Sequence, residues 1–226
     1  RLSPAESEVL VKILPAVLPA LFIAATLPTL GLAAERPEGI AAAEAIAKAA
    51  LGADCDMNGM EEVPMAGPEA EGFGHTLYRF AYKPDYDPNG PDLQAELYQL
   101  FCGSGAYNIR NAFVLKTGDT DTPKLIAFAT PDIAYTYANE ENSRLTAEPK
   151  IRGFNATTLL VNAGFDEKTR TITSHAAWRG IGDAWDSGDW VFRNGSFMLT
   201  RFEFDPTYGD PDPSTPESYV VYEAGK

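Results

Sequence analysis

Residues 189–204 read DWVFRNGSFMLTRFEF, two alternating runs joined by Asn194-Gly195. Asn-Gly between such runs is the strongest short-range signal for a two-residue β-hairpin, because both central positions then need positive φ. Asp189–Arg193 and Ser196–Phe204 are therefore read as paired antiparallel strands. On the N-terminal side lies Arg179-Gly180-Ile181-Gly182-Asp183, a Gly-rich corner preceded by an alternating strand, Arg170–Trp178. A turn at Asp166–Thr169 and a β-branched run at Thr157–Ala163 come before that. Downstream, residues 205–217 are a Pro- and Asp-rich loop, and Tyr219–Tyr222 can return as an edge strand.

The period of two continues toward the N-terminus. Thr76–Lys83, Ala95–Cys102 and Tyr107–Lys116 alternate and are rich in aromatic and branched residues, and an acidic loop, Pro84–Asp92, separates the first two. Short strands with turn clusters between them predict an antiparallel, mainly β body, a β-sandwich or a curved β-meander. Residues 57–74, rich in Gly, Pro, Met and Glu, read as a loop. Residues 38–51 break the pattern with seven alanines and Ile40, Ile46 and Leu51. Ala has the highest helix propensity, Pro37 suits a first turn and Gly52 suits a C-cap, so one helix is predicted here.

Residues 11–34, VKILPAVLPALFIAATLPTLGLAA, carry one cation, an uncharged apolar stretch and an Ala-rich exit. That layout is a secretory signal peptide, so residues 1–34 are expected to be removed on export, with Val11 as the start and residues 1–10 as an untranslated upstream extension. Residues 35–226 are expected to form a single domain of 192 residues with 16 basic and 30 acidic side chains. A net charge of −14 argues against nucleic-acid and anionic-lipid partners and favours a basic protein partner, with an attraction that salt weakens. The competing reading is that acidity only keeps the protein soluble.

The only cysteines are Cys55 and Cys102. An even count in an oxidising compartment predicts a disulfide, closing a loop of 48 residues. Cys102 as a nucleophile is the rival, but the sole downstream histidine is His175.

Two clusters could carry chemistry. Asp85-Tyr86-Asp87-Pro88-Asn89-Gly90-Pro91-Asp92-Leu93-Gln94-Ala95-Glu96 matches the calcium-loop spacing, with Asp85, Asp87, Asn89 and Glu96 as oxygen ligands. Its flanks read as strands where an EF-hand has helices, which favours an acidic hairpin loop. The Gly-rich corner gathers Trp178, Arg179, Asp183, Asp186, Trp185, Asp189 and Trp190, a candidate binding surface. Paired carboxylates beside aromatic rings could also serve acid/base chemistry on a sugar. Turn formation and β-core packing are the plainer explanations. His75 and His175 lack companions at metal-ligand spacing, and no zincin, P-loop, nucleophile-elbow or dinucleotide fingerprint occurs.

The runs Leu100–Asn108 (LFCGSGAYN), Leu160–Ala163, Phe165–Ser174 (FDEKTRTITS), Trp178–Asp183 and Ser187–Phe192 (SGDWVF) together resemble the family called domain of unknown function 1176. The resemblance spans about residues 75–224. It implies an exported, β-rich protein of the Gram-negative envelope, periplasmic or secreted, and names no catalytic residue. Many longer relatives place Cys after the Gly-Asp of the corner, where this chain has Ala184. The combined expectation is a non-enzymatic envelope binding module, with no cofactor unless the Asp85 loop takes calcium. By charge and compartment it could inhibit a cationic cell-wall hydrolase. The alternatives are an envelope glycan hydrolase using the corner carboxylates and a calcium-stabilised structural protein.

Overall fold

The computed structural model describes residues 39–57, 74–118, 122–209 and 216–225. The expected signal peptide and most of the 57–74 loop lie outside the described residues, as do Pro37 and residues 210–215 of the C-terminal loop.

Helix α1 (Ile40–Leu51) forms where the alanines predicted it and ends in a short 3-10 turn, Gly52–Asp54. Gly52, at φ 55°, donates its N–H to the Lys48 carbonyl, a C-cap that L-residues with a Cβ adopt at a cost. Twelve strands follow among the described residues. They are β1 (Thr76–Tyr82), β2 (Leu93–Ser104), β3 (Ile109–Thr117), β4 (Lys124–Leu125), β5 (Phe128–Ala134) and β6 (Lys150–Thr157). Then come β7 (Leu159–Val161), β8 (Gly164–Asp166), β9 (Thr171–Ala177), β10 (Trp185–Arg193), β11 (Ser196–Asp205) and β12 (Tyr219–Glu223).

All pairings are antiparallel. One sheet runs β1-β2-β3-β4, with β7 also on β3; a second runs β12-β11-β10-β9-β8; β5 and β6 form a separate pair. The mainly β, antiparallel prediction is thus met, as is Tyr219–Tyr222 as an edge strand. Asn194 (φ 51°) and Gly195 (φ 79°) make the predicted tight turn between β10 and β11.

The layers follow from side-chain parity. In β2, Ala95 and Leu97 face one way and join Phe113, Trp190, Phe202 and others in the larger core, which lies between the two five-stranded sheets. Tyr98, Leu100 and Cys102 face the other way and pack under Ile40, Ala43 and Ala47 of α1. The protein is a sandwich of two sheets with a helix on the outer face of one. The Cys55–Cys102 disulfide forms as expected, tying the chain just beyond α1 to β2 with Cα atoms 4.2 Å apart.

His75 lies beside this staple and is fully buried. Its Nδ1 accepts the Phe101 N–H at 3.0 Å, and its Nε2 lies 3.0 Å from a carboxylate oxygen of Glu44 on α1. A side chain thereby satisfies a backbone donor at the end of the β1–β2 ladder, which a buried amide requires.

Two predicted spans shift, and two strands were not predicted. The run 157–163 is not one strand: Thr157 ends β6, and its hydroxyl bonds the Leu159 N–H and carbonyl, breaking the chain before β7. Strand β10 starts four residues earlier than read, at Trp185. Gly188 permits this, since a Cβ there would fall 2.8 Å from Cζ3 of the Trp190 ring that folds over it. Strands β5 and β6 were not anticipated. Pro131 sits inside one, and the other is polar and open to solvent along most of its length.

Candidate functional site

The corner between β9 and β10 is held from several sides. The Trp178 N–H donates to the Ala184 carbonyl at 2.8 Å, and the Gly182 N–H to the Arg179 carbonyl at 2.9 Å. Arg179 forms a two-pronged ion pair with Asp183, one arm of it from Nε at 3.0 Å. The same carboxylate accepts the Gly209 N–H at 2.7 Å, and the Arg179 guanidinium lies 4.6 Å from the centre of the Tyr208 ring. The hydrogen bond from Arg179 is the main reason the Asp183 carboxyl is held down to about 2. Tyr107 packs against Gly180 on the other side. At the tip of this braced loop stands Ile181, 76% exposed.

Behind the loop lies a pocket of about 370 Å³. Strand β5 forms one wall. Phe202 and Phe204 of β11, with Trp178 and Asp186, form the other, and Tyr135 and Asn155 close its sides. Alternation along β10 explains how a carboxylate comes to be there. Asp186 shares the inward parity of Gly188, Trp190 and Phe192, and the sheet's core face ends at its position. The Trp178 indole N–H donates to Asp186 at 2.7 Å. Burial raises the Asp186 carboxyl above its ordinary value, only partly offset by that hydrogen bond and by His175. The other carboxylate of the lining, Asp132, is half-buried and paired with Arg152 at 2.7 Å.

An aromatic row joins pocket and corner. Phe204, Tyr135, Tyr137 and Tyr208 follow one another at centroid spacings of 5.5, 5.6 and 6.3 Å, ending under Arg179. The Tyr137 hydroxyl donates to the Pro206 carbonyl at 2.8 Å, and burial moves its titration upward.

The corner residues singled out in the sequence divide three ways. Trp178, Arg179 and Asp183 meet at the corner, as described. Trp190 lies in the core, 1% exposed, with its N–H on the Ala129 carbonyl at 2.9 Å and its ring against Phe128. Trp185 and Asp189 have the opposite parity and emerge on the outer face of β10. There Trp185 packs on His175 at 5.1 Å, and burial raises the Asp189 carboxyl despite the nearby Arg201. Asp186 and Asp189 thus stand on opposite faces of one strand. Sequence reading missed Tyr135, just past β5, Asn155 of β6 and Phe202 of β11, which lie far apart in the chain.

The Asp85 loop is a hairpin loop between β1 and β2. The Asp85 carboxylate accepts the Asn194 side-chain amide, while the Asp85 N–H donates to the Asn194 oxygen at 2.8 Å. Glu96 lies inside β2, bonded by Arg79 at 3.1 Å and by the Tyr98 hydroxyl at 2.9 Å. Burial opposes ionisation of Glu96, but these bonds and Lys116 lower its carboxyl overall. Among the described residues, no group of three or more His, Cys, Asp or Glu is placed to hold a metal ion.

Fold and site together define a disulfide-tied β-sandwich with a braced corner over an aromatic pocket. The family model described as "Protein of unknown function (DUF1176)" matches residues 92–207, which hold the corner and all the pocket lining, and the chain belongs to that family. No curated protein and no solved structure matches it. The disulfide is consistent with an extracytoplasmic protein. Among the described residues, no helix is long and apolar enough to cross a membrane.

Proposed function

We propose that this protein is a non-enzymatic binding module of the cell envelope, and that the 178–184 corner is the end that engages a basic protein partner. The observation that carries the reading is Ile181, a large apolar side chain at the tip of a loop fixed by the Arg179–Asp183 pair and the Gly209 N–H. A loop held in one conformation before binding loses little entropy on docking, and an exposed aliphatic tip supplies apolar area to bury. The net charge of −14 adds long-range attraction for a cation-rich surface. A cationic cell-wall hydrolase, inhibited by the inserted corner, is the partner class that suits this charge and the envelope.

The test is capture from envelope extract on immobilised protein at low salt, elution at high salt, and identification by mass spectrometry. Each captured protein is then measured against wild type and Ile181→Asp. A basic protein released by salt and lost by Ile181→Asp supports the reading. Capture that ignores both salt and Ile181 overturns it.

A further inference from the structure

We infer that the pocket bounded by Trp178, Asp186, Tyr135, Phe202 and Phe204 receives a cationic side chain, Lys or Arg, from the basic partner docked on the corner. The inference rests on the corner being the partner-binding end and adds what the partner must insert there. Three observations converge on it. The volume, about 370 Å³, is ample for one extended side chain. The wall opposite β5 carries Trp178, Phe202 and Phe204, with Tyr135 at the side, and ring faces attract ammonium and guanidinium groups once water is displaced. The lining holds Asp186, whose carboxylate accepts a hydrogen bond from a neutral donor, the Trp178 indole N–H. A carboxylate has about four lone-pair sites, so that bond leaves capacity for a charged donor. The second lining carboxylate, Asp132, is already paired with Arg152, which leaves Asp186 as the acidic group that an incoming cation would meet.

The pocket's place strengthens the case. The row Phe204–Tyr135–Tyr137–Tyr208 runs from the pocket to the Arg179 side chain of the corner, so pocket and corner are joined by continuous packing. A desolvated ion pair in an aromatic site gives specificity for a cation over an isosteric neutral group, because mismatch leaves the carboxylate buried without compensation.

The experiment uses the intact protein with two small probes of equal shape, n-butylammonium and n-butanol, followed by calorimetry and by the NMR signal of the Trp178 indole N–H. n-Butylammonium is expected to bind in the millimolar range and shift that signal, with n-butanol at least about tenfold weaker. Asp186→Asn, which keeps an acceptor for Trp178, is expected to remove at least about tenfold of the ammonium affinity. The probe should also compete with a captured basic protein. Equal binding of both probes to wild type overturns the inference, and this result does not depend on the variant folding. A basic protein that binds wild type and Asp186→Asn equally, without competition, overturns the pocket and leaves the corner standing. Ammonium binding with no protein partner at all makes the pocket a free-cation site. That overturns both the inserted side chain and the reading on which it rests.

Discussion

Trp178 and Asp186 face each other across the corner, eight residues apart, with the indole N–H 2.7 Å from the carboxylate. The pair places a partly desolvated acid at the edge of the core. Burial raises its carboxyl, so the ionised form disfavours the folded state above the ordinary carboxylate range, and that cost disappears as pH falls below the raised value. Asp186→Asn should therefore melt at a higher temperature than wild type at pH 7, with the gap narrowing toward acid. Scanning calorimetry at several pH values checks this. Gaining stability while losing cation affinity is the trade expected of a binding group.

Asp183 has the opposite sign. Its carboxyl is depressed to about 2 by Arg179, so its contribution is fully present above the unfolded value and is lost as pH falls through the folded one. The corner should hold from neutral pH down to about pH 4 and loosen between about pH 4 and pH 2. The Gly209 amide, bonded to the same carboxylate, reports this in an NMR titration. In Asp183→Asn, which has no carboxylate to titrate, the acid step of the Gly209 amide should vanish.

Gly188 is required by Trp190. A valine at 188 would push its Cβ into the indole ring, and overpacking of this kind costs about 1–3 kcal/mol. Urea unfolding of Gly188→Val should show that loss, whereas Gly195→Ala, where a Cβ would meet Tyr82 and Thr117 at 3.5 Å or more, should show only the strain of its positive φ.

The staple and His75 act on the same junction. Replacing both Cys55 and Cys102 with alanine should cost roughly 4 kcal/mol for a 47-residue separation, on the chain-entropy model. His75→Leu strips the Phe101 N–H of its acceptor in a buried setting, a loss of about 1–3 kcal/mol. Because both sites meet at β2, the triple variant should depart from additivity, which denaturant titrations of the full set would reveal.

Much of the architecture was readable because local signals agreed. Asn194-Gly195, the alternating runs around it and the alanines of α1 each specify one local geometry, and tertiary packing left them in place. Strands β5 and β6 escaped for physical reasons: Pro131 reads as a strand breaker, and Lys150–Thr157 has little apolar periodicity because it faces solvent. The site was half visible. Trp178, Arg179 and Asp183 are neighbours in sequence and in space. Trp190 was grouped with them by sequence proximity, yet its shared parity with Phe192 already marked it for the core. The pocket was not visible, since it arises where Phe202 and Phe204 of β11 meet β5, a juxtaposition of elements some seventy residues apart that no local pattern encodes.

The most direct measurement is a hydrogen-exchange footprint of the protein with and without the basic partner captured at low salt. Protection is predicted at residues 178–186 and 207–209, the corner and its brace, with further slowing of the Trp178 indole N–H. Protection confined to α1 or to the Asp85 hairpin, with 178–186 unchanged, would contradict the assignment of the corner as the binding end.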